Sequence, residues 1–142
     1  MRLILLTIAL SSLLTMGSFV DSGVAESVDP QSGLLDGKVF FGHVGPKGKE
    51  ANGEDELVFQ DGLMLSTSCI KYGFETAPYT ASRQGGRILF EAVILSPKHG
   101  RIEWRGHVTG DRAEAVYVWT KDRWYWFDAH EESWFRGRLK TE

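Results

Sequence analysis

Cys69 is the single cysteine of the chain and closes the run Ser66-Thr67-Ser68-Cys69. A thiol acts as a nucleophile only beside a base that a third group orients, so Cys69 with one of the histidines is the only cysteine option. Ser66 and Ser68 sit in no Gly-x-Ser-x-Gly elbow. Glu91 is the most interesting acid, because it interrupts the apolar run 89–95 (LFEAVIL), where inward burial would favour its protonated form. Leu89, Val93 and Leu95 share its face of a strand, while Phe90, Ala92 and Ile94 make the other. Both faces are apolar, so alternation leaves the direction of Glu91 open; turned outward, it pairs across the sheet with Arg87, Arg101 or Arg105. The four histidines, His43, His99, His107 and His130, form no ligand-spaced pair with each other or with Cys69. Gly85-Gly86 precedes a strand rather than a helix and fits a turn, not a phosphate cradle. These residues lead us to expect no catalytic constellation, no metal and no cofactor.

The elements that must position these residues are strands. Asp61-Gly62 between the apolar runs 56–60 (ELVFQ) and 63–70 (LMLSTSCI) is a strong two-residue hairpin signal. Period two in the second run puts Leu63, Leu65, Thr67 and Cys69 on one face, read here as the inner one, with Cys69 buried. A first strand covers 38–44 (KVFFGHV), interrupted by Gly42, and 45–55 (GPKGKEANGED) is a charged loop with nothing to bury. Further strands follow at 87–95, 101–108, 113–120, 123–127 and 134–139, with a short one at 79–83. In 101–108, Ile102, Trp104, Gly106 and Val108 alternate with Arg101, Glu103, Arg105 and His107, the pattern of a half-buried strand. Arg136 and Arg138 flank Gly137 on the last strand and are expected to face outward. No stretch beyond the N-terminus has helical period. The expected fold is all-β: an antiparallel up-and-down meander of about eight strands in a closed or nearly closed barrel, with a β-sandwich as the alternative.

Residues 1–25 have the design of an export signal: Arg2, the apolar core 3–14 (LILLTIALSSLL), then the small residues Gly23-Val24-Ala25. The core is too short to span a bilayer, and no cysteine follows it to take a lipid. The expectation is cleavage near Ala25, a polar leader over 26–34, one domain over 35–142 and a periplasmic or extracellular destination, with no stable membrane anchor. A formal net charge of −3 gives no reason to expect nucleic acid as a partner. The fold must hold without an internal disulfide.

All five tryptophans fall between Trp104 and Trp134. Such a concentration of rings fills a core, lines a pocket or forms an interface. The candidate ligand-binding residues are Trp104, Tyr117, Trp119, Trp124, Trp126 and Cys69.

The run Leu35-Asp36-Gly37-Lys38-Val39-Phe40 resembles the first strand of the calycins, the barrel class that contains the lipocalins. Val39 stands where the family's Gly-x-Trp has its tryptophan. The late arginine that packs over that ring corresponds by resemblance to Arg136 or Arg138, with Phe40 as the substitute ring. The chain also resembles small exported bacterial proteins of unknown function. Three functions follow as expectations. The first is a non-enzymatic barrel holding a small, largely apolar ligand. The second is an envelope structural or interaction module, meeting a protein partner or a second copy through an exposed aromatic patch at Trp124, Tyr125, Trp126 and Phe127. The third is an enzyme using Cys69 or Glu91.

Overall fold

The computed structural model describes residues 33–122 and 129–141. The expected signal, most of the leader, and Trp124, Tyr125, Trp126 and Phe127 lie outside the described residues. Eight antiparallel strands, each paired with the next and the last with the first, close a barrel: β1 (Val39–Pro46), β2 (Gly53–Gln60), β3 (Leu63–Ser66), β4 (Ala77–Gln84), β5 (Arg87–Ser96), β6 (Gly100–Thr109), β7 (Arg112–Lys121) and β8 (Ala129–Leu139). Closure leaves no sheet edge along the paired lengths. The expected meander barrel is the observed one.

The hairpin at Asp61-Gly62 forms as its residues require. Both take positive φ, 52° and 73°, which matches the right-handed twist of the flanking strands. This turn, Gly85-Gly86 and Gly110-Asp111 all lie at one end of the barrel. A turn at 33–37 plugs that end, with Leu35 fully buried. The Tyr79 hydroxyl accepts from Leu35 N–H at 3.0 Å and donates to Asp36 Oδ1 at 2.8 Å. The Asp36 carboxylate in turn accepts the Gly62 N–H, tying plug to hairpin. Leu34, placed in the leader by its sequence, packs against the core.

Closure of β1 on β8 depends on two glycines that face each other, Gly42 and Gly137. A Cβ on Gly42 would lie 2.0 Å from the Arg136 carbonyl oxygen and 2.4 Å from Gly137 Cα. The interruption of the first strand is thus the point where two backbones approach too closely for a side chain.

Inside, the closed half is packed with rings. Phe59 makes edge-to-face contacts with Phe40, Tyr79 and Phe90 at 4.9–6.2 Å, the arrangement aromatic quadrupoles favour.

Four expectations change. β3 stops at Ser66, and Thr67–Tyr72 is a 3₁₀ turn ended by Gly73 at φ 79°, so Cys69 is not on a strand. The inner residues of β3 are Met64 and Ser66 rather than Leu63 and Leu65. β2 starts at Gly53, and Asp55, read as loop, is buried inside the barrel. β8 begins at Ala129, ahead of the expected 134.

Candidate functional site

The second end of the barrel, opposite the plug, is built differently. Strands β1, β3, β5 and β7 end there, and the connections are longer: 47–52, the 3₁₀ turn with 73–76, and 97–99. The 47–52 loop does not fold over this mouth. It is held against the outer wall of β8 by a Lys47–Glu132 ion pair and by Trp134 Nε1–H donating to the Lys49 carbonyl at 3.1 Å.

One interior row runs from Tyr79 in the closed half across β4 to β8: Tyr79, Ala92, Trp104, Tyr117 and Ser133. Direct cross-strand partners share a face, which brings Trp104 and Tyr117 together. Their rings stack with centroids 4.3 Å apart and planes 28° off parallel. Trp104 is 2% exposed, yet its indole Nε1–H has no hydrogen-bond partner among the described residues. Trp119 differs: its Nε1–H donates to the His99 carbonyl at 2.6 Å. Ser96 completes that frame, its hydroxyl donating to the Tyr72 carbonyl and accepting His99 N–H.

Facing the stacked rings is a polar wall. Asp55 is 4% exposed and ends in three short bonds: Ser66 Oγ–H at 2.6 Å, Ser68 N–H at 2.9 Å and Glu56 N–H at 2.8 Å. No cation pairs with it among the described residues. These bonds explain why the chain leaves the sheet at Thr67, since the carboxylate captures an N–H that a continuing β3 would have spent on pairing. Cys69 sits half-buried in the resulting turn, its sulfur 3.8 Å from Ser68 Oγ. Burial pushes its thiol up from the ordinary value, against the smaller opposing effect of the Ser66 and Ser68 hydroxyls. Tyr117 is pushed up to about 12, first by burial and further by the nearby Cys69 and Asp55, while the Ser133 hydroxyl works the other way. At neutral pH the mouth thus presents a protonated thiol and a protonated phenol.

Of the candidate ligand-binding residues, Trp104, Tyr117, Trp119 and Cys69 all belong to this end of the barrel. Trp124 and Trp126 lie outside the described residues. Reading the sequence missed Asp55 and Ser66, which form the polar wall, and Ser133 beside Tyr117.

Glu91 lies on the outer wall, 61% exposed at the side chain, and accepts from Arg105 Nε at 3.1 Å. It is the cross-strand pair expected of the outward orientation. Arg136 and Arg138 are also outside: Arg136 lies over the Trp134 ring at 5.1 Å and Arg138 meets Asp111 at 3.5 Å. Phe40 points inward, so neither arginine packs on it as the calycin resemblance implied. Among the described residues no three His, Cys, Asp or Glu side chains converge to hold a metal. His43, His107 and His130 instead stand beside single glutamates on the outer wall.

Fold and mouth together define an eight-stranded meander barrel with an aromatic, polar-walled opening. No protein-family model, curated protein or solved structure matches the chain.

Proposed function

We propose that the chain is an exported, non-enzymatic, lipocalin-like barrel that binds a small, largely apolar molecule at its mouth. The observation that carries this reading is the Trp104 indole N–H, buried without an acceptor among the described residues. Such a donor costs about 1–3 kcal/mol while it stays unmet, and an incoming acceptor group removes that cost. The half-buried Tyr117 ring, stacked on Trp104, supplies apolar surface beside it. Because Phe40, Phe59, Tyr79 and Phe90 fill the closed half, the ligand is confined to the mouth and is small. Against an enzyme stand the raised thiol of Cys69, since thiolate chemistry needs a lowered one, and the outward Glu91. Export rests on the design of residues 1–25 alone.

Native mass spectrometry of the mature protein from its own exported fraction tests the reading. A retained adduct of defined mass, lost on Trp104→Phe, is the expected result. A bare protein whose melting temperature no small apolar molecule raises would refute it.

The second reading is an envelope interaction module, favoured by Leu95 and Val93, which stand 65% and 46% exposed on the outer wall of β5. They border a groove of about 760 Å³ that also touches Glu75 and Pro78. Under that reading Leu95→Lys releases a bound protein partner or splits a dimer in sedimentation analysis; under the first it changes nothing.

A further inference from the structure

We infer that the outer wall at the closed end of the barrel carries a second binding site, where Arg112, Arg136 and Arg138 take up a phosphate monoester group.

Strand register builds this site. Arg112 of β7 is the direct partner of Arg138 of β8, and Arg138 is in turn the partner of Phe41 of β1. Direct partners share a face, so two arginines and a 47% exposed ring form one outward row. Arg136 stands two residues along β8, hence on the same face, between Glu114 and His43. Phe41, His43, Arg112, Glu114, Arg136 and Arg138 line a recess of about 480 Å³. Arg112 follows directly on the Gly110-Asp111 turn, so the recess lies at the opposite end of the barrel from the mouth.

Like charges directly opposite each other on a sheet are destabilising, and the Arg112–Arg138 pairing is of that kind. The carboxylates that reach the arginines are shared or distant. Asp111 meets Arg138 at 3.5 Å, while Glu114 lies 4.0 Å from Arg136 and 3.4 Å from His107. On the far side of Phe41, Glu56 holds Lys140 at 3.1 Å and Glu54 stands 4.0 Å from His43. The recess itself is lined by three arginines and one carboxylate, on a chain whose formal net charge is −3. An anion laid across Arg112 and Arg138 turns their repulsion into attraction.

The number of acceptor atoms selects the anion. Arginine presents a rigid fork of N–H donors, and a single fork takes both oxygens of a carboxylate. A phosphate monoester offers three terminal oxygens. These suffice for two forks whose Cα atoms, as direct partners, lie about 5 Å apart. The exposed Phe41 ring beside Arg138 gives the organic part of the ester an apolar surface.

The test titrates phenyl phosphate and benzoate into the purified protein at constant ionic strength, followed by NMR shifts of the backbone amides and arginine Nε groups. The pH is mildly alkaline, above the second phosphate pKa of about 6. Phenyl phosphate is expected to bind with a Kd of about 1 mM or below, at least about tenfold more tightly than benzoate, and to shift Phe41, Arg112 and Arg138 most. Arg112→Gln removes the like-charge contact, so it should leave the melting temperature unchanged or raise it while weakening phenyl phosphate about tenfold. Phosphatidylcholine vesicles containing phosphatidic acid, which displays the same monoester, separate two sources of the group. Sedimentation of the protein with them, abolished by Arg112→Gln, assigns the phosphate to a lipid; its absence alongside phenyl phosphate binding assigns it to a soluble ester. Benzoate binding as tightly as phenyl phosphate overturns the choice of phosphate. Failure of phenyl phosphate to bind the wild-type protein, or equal binding to Arg112→Gln, overturns the site. A lower melting temperature for Arg112→Gln overturns it too, because Arg112 then serves the fold.

Discussion

Asp55 is a buried carboxylate with no cation beside it among the described residues, and replacing it measures what the polar wall contributes to the fold. In Asp55→Ala, Ser66 O–H loses an acceptor at 2.6 Å inside a residue only 1% exposed. Ser68 N–H loses one at 2.9 Å in a half-buried turn, where water reaches it in part. A hydrogen bond to a charged group contributes about 1.5–3 kcal/mol, and a buried donor left unmet costs about 1–3 kcal/mol. Two such losses would total about 3–6 kcal/mol. Removing an unpaired charge from the interior recovers part of that, because its desolvation also disappears. We expect a net destabilisation of about 3 kcal/mol for alanine. Asparagine keeps an oxygen for Ser68 N–H and Glu56 N–H, and the Ser66 hydroxyl can turn to accept from the new amide, so Asp55→Asn should cost about 1 kcal/mol. Urea unfolding followed by tryptophan fluorescence reads both, provided the slope with urea is unchanged. If alanine falls within about 0.5 kcal/mol of wild type, the carboxylate does not organise the 3₁₀ turn. If asparagine costs as much as alanine, the charge rather than the hydrogen-bond geometry carries the effect, and the reasoning fails.

Gly42→Ala should destabilise by about 3 kcal/mol or force β1 away from β8, because the new methyl meets backbone atoms that cannot yield; urea unfolding that leaves it within about 1 kcal/mol of wild type would show the seam to be plastic. Tyr79→Phe strips the acceptor from Leu35 N–H and the donor from Asp36, at a cost of about 1–2 kcal/mol, which thermal unfolding reads. Tyr79 and Tyr117 both ionise near 12 rather than the ordinary 10, chiefly through burial. The folded chain therefore holds these two protons more tightly than the unfolded one. The stability they contribute is complete below pH 10 and disappears as the pH rises through 12. Tyrosinate absorbance should accordingly appear for these residues together with unfolding, and titration of all four tyrosines near 10 in the intact fold would contradict the burial described. The Cys69 thiol, raised by burial, should react with an aromatic disulfide at least about tenfold more slowly than in the urea-unfolded chain at neutral pH; equal rates would refute its shielding.

Much of the barrel is legible in the residues. Asp61-Gly62 names its own turn, and the alternation of Ile102, Trp104 and Val108 with charged residues gives β6 its inner face correctly. Glu91 was not legible by the same means. Its strand is apolar on both faces, and the link to β6 is the three-residue Pro97–His99 segment, which carries no simple parity from one strand to the next. Only the observed pairing of Ala92 with Trp104 and of Glu91 with Arg105 decides which way the carboxylate turns. The 3₁₀ turn was hidden for another reason. Ser66, Thr67 and Ser68 suit a strand by propensity, and what stops β3 is a carboxylate eleven residues earlier in the chain.

The polar wall, by contrast, was within reach of the sequence. A two-residue hairpin fixes register, so placing the turn at Asp61-Gly62 already sets Phe59 opposite Met64 and Leu57 opposite Ser66, as observed. In β2 the inner face is unambiguous, since Leu57 and Phe59 alternate with Glu56 and Gln60. Carrying that face across the turn makes Met64 and Ser66 inner residues. The opposite choice came from weighing β3 alone, where Leu63 and Leu65 look as apolar as Met64. Carried two residues back along β2, the same parity puts Asp55 inside, next to Ser66. A buried carboxylate facing a buried hydroxyl then follows from turn chemistry and period two alone. A hairpin of known length therefore transfers burial from a strand with clear alternation to one without it. Strand-by-strand hydrophobicity makes no use of that transfer, and here it separates a silent Cys69 face from the wall of the candidate site.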